Sequence, residues 1–213
     1  MGYRHIIWDW NGTLLDDVSA AVSLANEMLR SLALPEIDLV AYRDAFRFPI
    51  REYYERVGID LSRVEFAELA ARWIDRYAEE FPTMALRPDA IDALSTAAGA
   101  GLRQSILSAT HESALHAQLD HHGLSSWFTA RVGLPDHLAE SKIARASAWI
   151  DGTDLRRSDV VLVGDTLHDL EVASHLGVDC ILVEGGHHPG ERLRAHSAAV
   201  ERDLRSAVRR AIA

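Results

Sequence analysis

At 213 residues, with 48% hydrophobic and 25% charged residues, the chain has the composition of one globular domain, or of one domain carrying a sizeable insertion. Twenty-two basic residues against 32 acidic ones leave a formal charge of −10, which argues against a nucleic-acid partner or an anionic membrane surface. The single cysteine, Cys180, excludes an intramolecular disulfide and a cysteine-built zinc site, and agrees with a reducing, cytoplasmic setting.

The apolar run Ile6-Ile7-Trp8 predicts a first strand over residues 4–9, stopped by the turn signal Asn11-Gly12. Helical spacing of Val18, Ala21, Val22, Ala25, Met28 and Leu29 predicts a helix over 16–34, ended by Pro35. Further helical patterns at 39–46, 50–57 and 63–81 make residues 16–84 nearly all helix. After Pro88 the pattern changes. Helices are expected at 89–100, 112–122, 140–150, 167–175 and 201–212. Strands are expected at 103–108, 130–132, 159–164 and 179–183. Strands that are apolar throughout and alternate with helices predict an α/β fold, a Rossmann-like parallel sheet with helices on both faces. The helical block 16–84 is then an insertion after the first strand, an all-helical cap on a core made of 1–15 and 85–213. The longest apolar runs, such as Val160-Val161-Leu162-Val163, are far short of the ~18 residues of a membrane span. The early acidic residue Asp9 predicts no secretory signal.

Ligands of parallel sheets bind at the carboxyl ends of the strands. The residues expected there are Asp9 through Thr13, Ser108-Ala109-Thr110, and Gly164 through Asp169, with Lys142 at the start of the preceding helix. Hard carboxylates suit Mg²⁺; a hydroxyl, backbone N–H groups and an ammonium suit phosphate. Lys142 is the only lysine in a chain with 21 arginines, which points to a place needing a compact ammonium rather than a planar fork. His111 and His116 stand five residues apart, about 140° around a helix, so they cannot share a metal from one face. No Gly-rich phosphate loop precedes Lys142. His187-His188, in a Gly-rich turn, reads as surface loop, and the arginines of the helical block read as solvated faces. Arg47, beside Phe48-Pro49 at a break between helices, is the candidate among them for reaching substrate.

These motifs together resemble the haloacid dehalogenase superfamily of phosphohydrolases. Asp9-Trp10-Asn11-Gly12-Thr13-Leu14 resembles its first motif, Ser108 its second, Lys142 its third, and Gly164-Asp165-Thr166-Leu167-His168-Asp169 its acidic fourth. The helical block sits where the family inserts its cap, and its size resembles the phosphoglycolate phosphatase-like branch. The resemblance implies a Mg²⁺-dependent phosphatase acting on a small phosphorylated metabolite through an aspartyl-phosphate on Asp9. It implies Mg²⁺ held by Asp9, the carbonyl of Asn11 and Asp165, with Asp169 orienting the site or a metal-bound water. Phosphate would be held by Ser108, the amide of Ala109 and Thr13, and tied to Asp9 by Lys142. The chain departs from the family at Asn11, where phosphatases of this group carry the aspartate that protonates the leaving oxygen. An amide cannot do so, and such help is worth about 10²–10⁴-fold. Three outcomes are open: substrates whose leaving group needs no proton, a proton from another group such as His168 or a cap residue, or a weakened module that binds phosphate without turning it over.

Overall fold

The computed structural model describes residues 2–135 and 142–213. Residues 136–141, which include the start of the helix expected over 140–150, lie outside them.

The sheet has six parallel strands: β1 (His5–Trp8), β4 (Arg103–His111), β5 (Ala130–Leu134), β6 (Val160–Gly164), β7 (Asp179–Val183) and β8 (Val200–Glu201), in the order β5-β4-β1-β6-β7-β8. A short antiparallel pair, β2 (Leu15–Asp16) and β3 (Ala85–Leu86), brackets the helical insertion. Side chains alternate across the sheet. Ile6, Trp8, Ile106, Val161 and Val163 face one core cluster; Ile7, Leu107, Leu162 and Val160 face the other. The first cluster is closed by α5 (Ala90–Gly99), α6 (Glu112–His121) and α10 (Leu204–Ile212), the second by α7 (Lys142–Asp151) and α8 (Leu167–Leu176). Burial on both faces is what makes the strands apolar throughout, each large side chain contributing about 1.5–3 kcal/mol.

The insertion comprises α1 (Val18–Ser31), α2 (Leu39–Ala45), α3 (Ile50–Arg56) and α4 (Phe66–Glu80). These helices share a third cluster of their own, built from Val18, Ala25, Leu29, Tyr42, Tyr53 and Leu69. Asp38 caps α2 by accepting from the Ala41 amide at 2.8 Å.

Three local features depart from the sequence reading. The strand expected over 103–108 continues to His111, with a register irregularity after Leu107. Ser108 therefore lies where the ladder is broken rather than at a strand end. A further helix, α9 (Gly190–His196), follows the Gly-rich turn, and β8 occupies the beginning of the segment expected as helix over 201–212. A two-residue edge strand is too short to show periodicity.

The strand order sets the site. From β1 the chain builds outward through β4 and β5 on one side, and through β6, β7 and β8 on the other. The carboxyl ends of β1 and β6 thus flank the reversal point of the sheet, where a crevice forms.

Candidate active site

Asp9 follows β1, and Asp165 and Asp169 follow β6. One carboxylate oxygen of each lies within 4.8 Å of the others, and all three side chains are buried. Lys142, at the start of α7, is 3% exposed and places Nζ 2.7 Å from Asp9 Oδ1 and 2.9 Å from Asp169 Oδ1. The other Asp169 oxygen accepts from the Thr166 amide and hydroxyl, a capping box that starts α8. Asp165 accepts from Thr13 Oγ1 at 2.9 Å and from the His187 amide at 2.6 Å. The local sequence makes room for these carboxylates: a Cβ at Gly186 would collide with Asp165, and one at Gly164 with Asp169.

Three buried carboxylates face one ammonium. Burial pushes the Asp9 carboxyl up to about 8, with Asp169 and Asp165 adding to it against the pull of Lys142. Burial likewise raises Asp165 to about 6, against the pull of His187. Burial opposes ionisation of Asp169 too, but Lys142 and Thr166 hold it below its ordinary value. The raised values mark carboxyls too crowded for one ammonium to keep all three ionised, the condition that a hard divalent cation relieves. Asp9, Asp165 and Asp169 fit such an ion.

Asn11 sits in a complete hydrogen-bond set. Its Nδ2 donates to Asp17 Oδ2 at 3.0 Å and to Tyr77 Oη at 2.8 Å; its Oδ1 accepts from Thr110 Oγ1 at 2.9 Å and from Ser108 Oγ at 3.2 Å. Asp17 also accepts from the Gly12 amide at 2.7 Å and from Tyr77 Oη at 2.7 Å, and pairs with His187 Nε2 at 3.2 Å. Burial works against the Asp17 carboxylate, but His187, Tyr77 and Asn11 hold its pKa below the ordinary value. Burial also works against a charged His187, yet Asp17 and Asp165 raise it to about 9. The imidazolium is therefore present at neutral pH, with one ring nitrogen on Asp17 and the other 2.9 Å from Tyr42 Oη. Neither N–H is left for a leaving group. Burial, with Lys142 adding to it, holds His168 below its ordinary value.

A cavity of about 780 Å³ rises from these residues into α2, α3 and α4. Asp9, Asn11, Ala109, Lys142, Asp165 and Asp169 line its floor. Its wall is latched to the core. Arg43 donates to the carbonyls of Gly185 and Gly186, and Arg192 to those of Asp44 and Phe46. His188 accepts from the Leu167 amide and donates to the Phe46 carbonyl. Burial and Arg192 push His188 down to about 4, which keeps it in this neutral, bridging form.

The structure thus brings Asp9, Asn11, Lys142, Asp165 and Asp169 together, with Ser108 against Asn11 and Ala109 at the cavity. Thr13 is fully buried and serves Asp165, so it does not line the cavity. Arg47 lines a second cavity of about 370 Å³ with Arg192 and His188, which shares Phe48, His168 and Glu171 with the first, and its Nε donates to the Ala45 carbonyl. The surface reading of His187 and His188 is corrected: they are 5% and 4% exposed, drawn in by Asp17 and by the Phe46 carbonyl. Asp17, Tyr42, Tyr77 and His187 were absent from the sequence reading of the site. The Gly185-Gly186 pair before His187 was the available signal, because it marks a close backbone approach.

Residues 6–183 match the family described as Haloacid dehalogenase-like hydrolase. The chain belongs to that family. It is 27% identical to a phosphoglycolate phosphatase of Synechococcus elongatus over 194 residues, covering 89% of this chain and 88% of the relative. It is 26% identical to an N-acetylmuramic acid 6-phosphate phosphatase of Pseudomonas aeruginosa over 209 residues, covering 93% and 89%. A haloacid dehalogenase-like family hydrolase from Streptococcus pneumoniae has the same fold, with a TM-score of 0.83 at 17% identity over 98% of each chain. The chain is a haloacid dehalogenase-type phosphatase of the phosphoglycolate phosphatase-like branch, a phosphoric monoester hydrolase. Haloacid dehalogenase phosphatases generally use a divalent metal. No helix among the described residues is long and apolar enough to cross a membrane.

The Asp17–His187 pair generates a stability test. The folded-state value of His187, about 9, lies above the ordinary imidazole value near 6.5. Its stabilising contribution is therefore complete below about 6.5 and is lost as pH rises through about 9. His187→Gln leaves Asp17 buried without its cation and is expected to cost about 3 kcal/mol at pH 6. Thermal unfolding with chelator present checks this: the difference from wild type shrinks steadily between pH 6.5 and 9.5.

Proposed function

We propose that the protein is a Mg²⁺-dependent phosphatase working through an aspartyl-phosphate on Asp9, with residues 16–84 as the cap over a core of 1–15 and 85–213. The reading rests on one observation above all. A buried carboxylate, a buried ammonium and two further carboxylates meet at the carboxyl ends of β1 and β6, at the foot of a cavity. Asp9, Asp165 and the Asn11 carbonyl would hold the cation, which would supply positive charge against the phosphoryl oxygens. Asp169 supports the site by anchoring Lys142 and the start of α8.

The chain's own groups divide the work. A carboxylate oxygen of Asp9 attacks phosphorus, and the bond to the leaving oxygen breaks. Lys142, fixed between Asp9 and Asp169, offsets repulsion between the anionic nucleophile and the phosphate. The Ala109 amide, beside Ser108 at the break in β4, is suited to a phosphoryl oxygen. Water then attacks the phosphorus of the acyl phosphate and releases Asp9. Asn11 contributes no proton to either step; it orients Ser108, Thr110 and Asp17. Asn11 is also the one feature favouring the second reading, a module that binds phosphate with little turnover.

Asp9→Asn is expected to lower phosphate release from p-nitrophenyl phosphate roughly 10³-fold or more with the fold intact by circular dichroism. Lys142→Arg is expected to lose about 10²-fold or more, because a planar fork cannot occupy the pocket of a compact ammonium between two carboxylates. Mg²⁺ is expected to raise the melting temperature of wild type, by up to about 2.7 kcal/mol of stability at a hundredfold excess over Kd. Asp165→Asn is expected to lose that rise. A wild type that binds phosphate and hydrolyses nothing would favour the second reading.

A further inference from the structure

The cavity above the carboxylates is walled by rings. Phe46, Phe48, Tyr54, Phe66, Trp73 and Ile74 line it, contributed by α2, the α2–α3 connection, α3 and α4. Phe46 and Phe48 fold against the core, stacked on His187 with centroids 4.9 Å apart and on His168 at 4.6 Å. Among the described residues of the helical insertion that line the cavity, the cationic one is Arg51, and its guanidinium sits 4.8 Å over the Phe66 ring. A small polyanionic leaving group finds few partners on such a wall. A planar apolar one finds stacking surfaces on several sides.

The floor points the same way by an independent route. Asn11 carries no acidic proton, and both ring nitrogens of His187 are engaged by Asp17 and Tyr42. Neither of these two groups is free to protonate a departing oxygen. A leaving group that departs as an anion needs no proton from either. A phenol, ionising near 10, does this far more readily than an alkyl alcohol.

We infer that the substrate class is an aryl phosphate whose aromatic leaving group, larger than one ring, seats among Phe46, Phe48, Phe66 and Trp73. This rests on the phosphatase reading above and names the substrate of that same site. In the step, an Asp9 oxygen bonds to phosphorus while the phosphorus–oxygen bond to the aryl group breaks. The aryloxide leaves with the electron pair and takes its proton from solvent. Water then cleaves the Asp9 phosphate, giving inorganic phosphate and returning one proton to solvent.

The test separates ring size from leaving-group acidity. Steady-state phosphate release is measured with 2-naphthyl phosphate, phenyl phosphate and acetyl phosphate, in saturating Mg²⁺. Naphthol and phenol ionise close together, so a difference between them reports apolar seating. The expected kcat/KM for the naphthyl ester exceeds that for the phenyl ester by about tenfold or more, carried mainly by KM. Trp73→Ala is expected to cut that naphthyl-to-phenyl ratio several-fold. Competitive inhibition of acetyl phosphate turnover by free 2-naphthol in wild type gives the same answer without a variant. Turnover of acetyl phosphate with equal naphthyl and phenyl values and no inhibition by naphthol overturns the aryl subsite while leaving the phosphatase reading standing. Release of phosphate from none of the three overturns both.

Discussion

The side-chain amide of Asn11 has two donor hydrogens and one carbonyl oxygen, and all of them are used in the site. On one side stands the buried carboxylate of Asp17, with Tyr77; on the other stand the hydroxyls of Ser108 and Thr110. An aspartate at this position would set two carboxylates about as close as the 3.0 Å that now separates Nδ2 from Asp17. Two such groups do not both ionise. The amide is therefore matched to its neighbours: Asp17 takes a donor at position 11, and an ionised acid there is incompatible with it. The consequences run outward. Asp17 recruits His187, the His187 amide fixes Asp165, and Tyr42 ties the same imidazole to the helical insertion. The residue that departs from the family motif is thus joined through hydrogen bonds to the carboxylate cluster and to the cavity wall.

Charge explains the rest of the floor. Asp9, Asp165 and Asp169 are held out of water with a single lysine among them. Such an arrangement is costly by itself, and the positive charge that a divalent cation would bring relieves it. The wall follows a different rule. It is made of rings because α2, α3 and α4 must build a core of their own, and the ring-bearing faces that remain enclose the cavity.

Much of this was legible in the sequence because the signals are local or repeat at a fixed period. Val160 through Gly164 is a buried central strand by composition alone, and Asp165 and Asp169 follow it in one motif. Lys142 stood out through residue usage. What the chain did not reveal lies in pairings distant in sequence. Tyr77 is sixty residues from Asp17, and His187 is 170 residues from it. Nothing in the periodicity of α4 says that Tyr77 turns toward the sheet. Arg47 was judged by its position at a break between helices, and it lines a second cavity together with Arg192 and His188. Thr13 was counted with the motif beside it, yet its hydroxyl is spent on Asp165.

The most direct test of the amide's role is to replace it by its acid and count protons. Asn11→Asp, with and without Asp17→Asn, can be followed at neutral pH by infrared difference spectroscopy in the region of the protonated carboxyl stretch. The expected result is a protonated carboxyl in Asn11→Asp, with lowered thermal stability. Both effects should be relieved when Asp17→Asn restores an amide–carboxylate pair. Two fully ionised carboxylates in Asn11→Asp, at wild-type stability, would contradict the account.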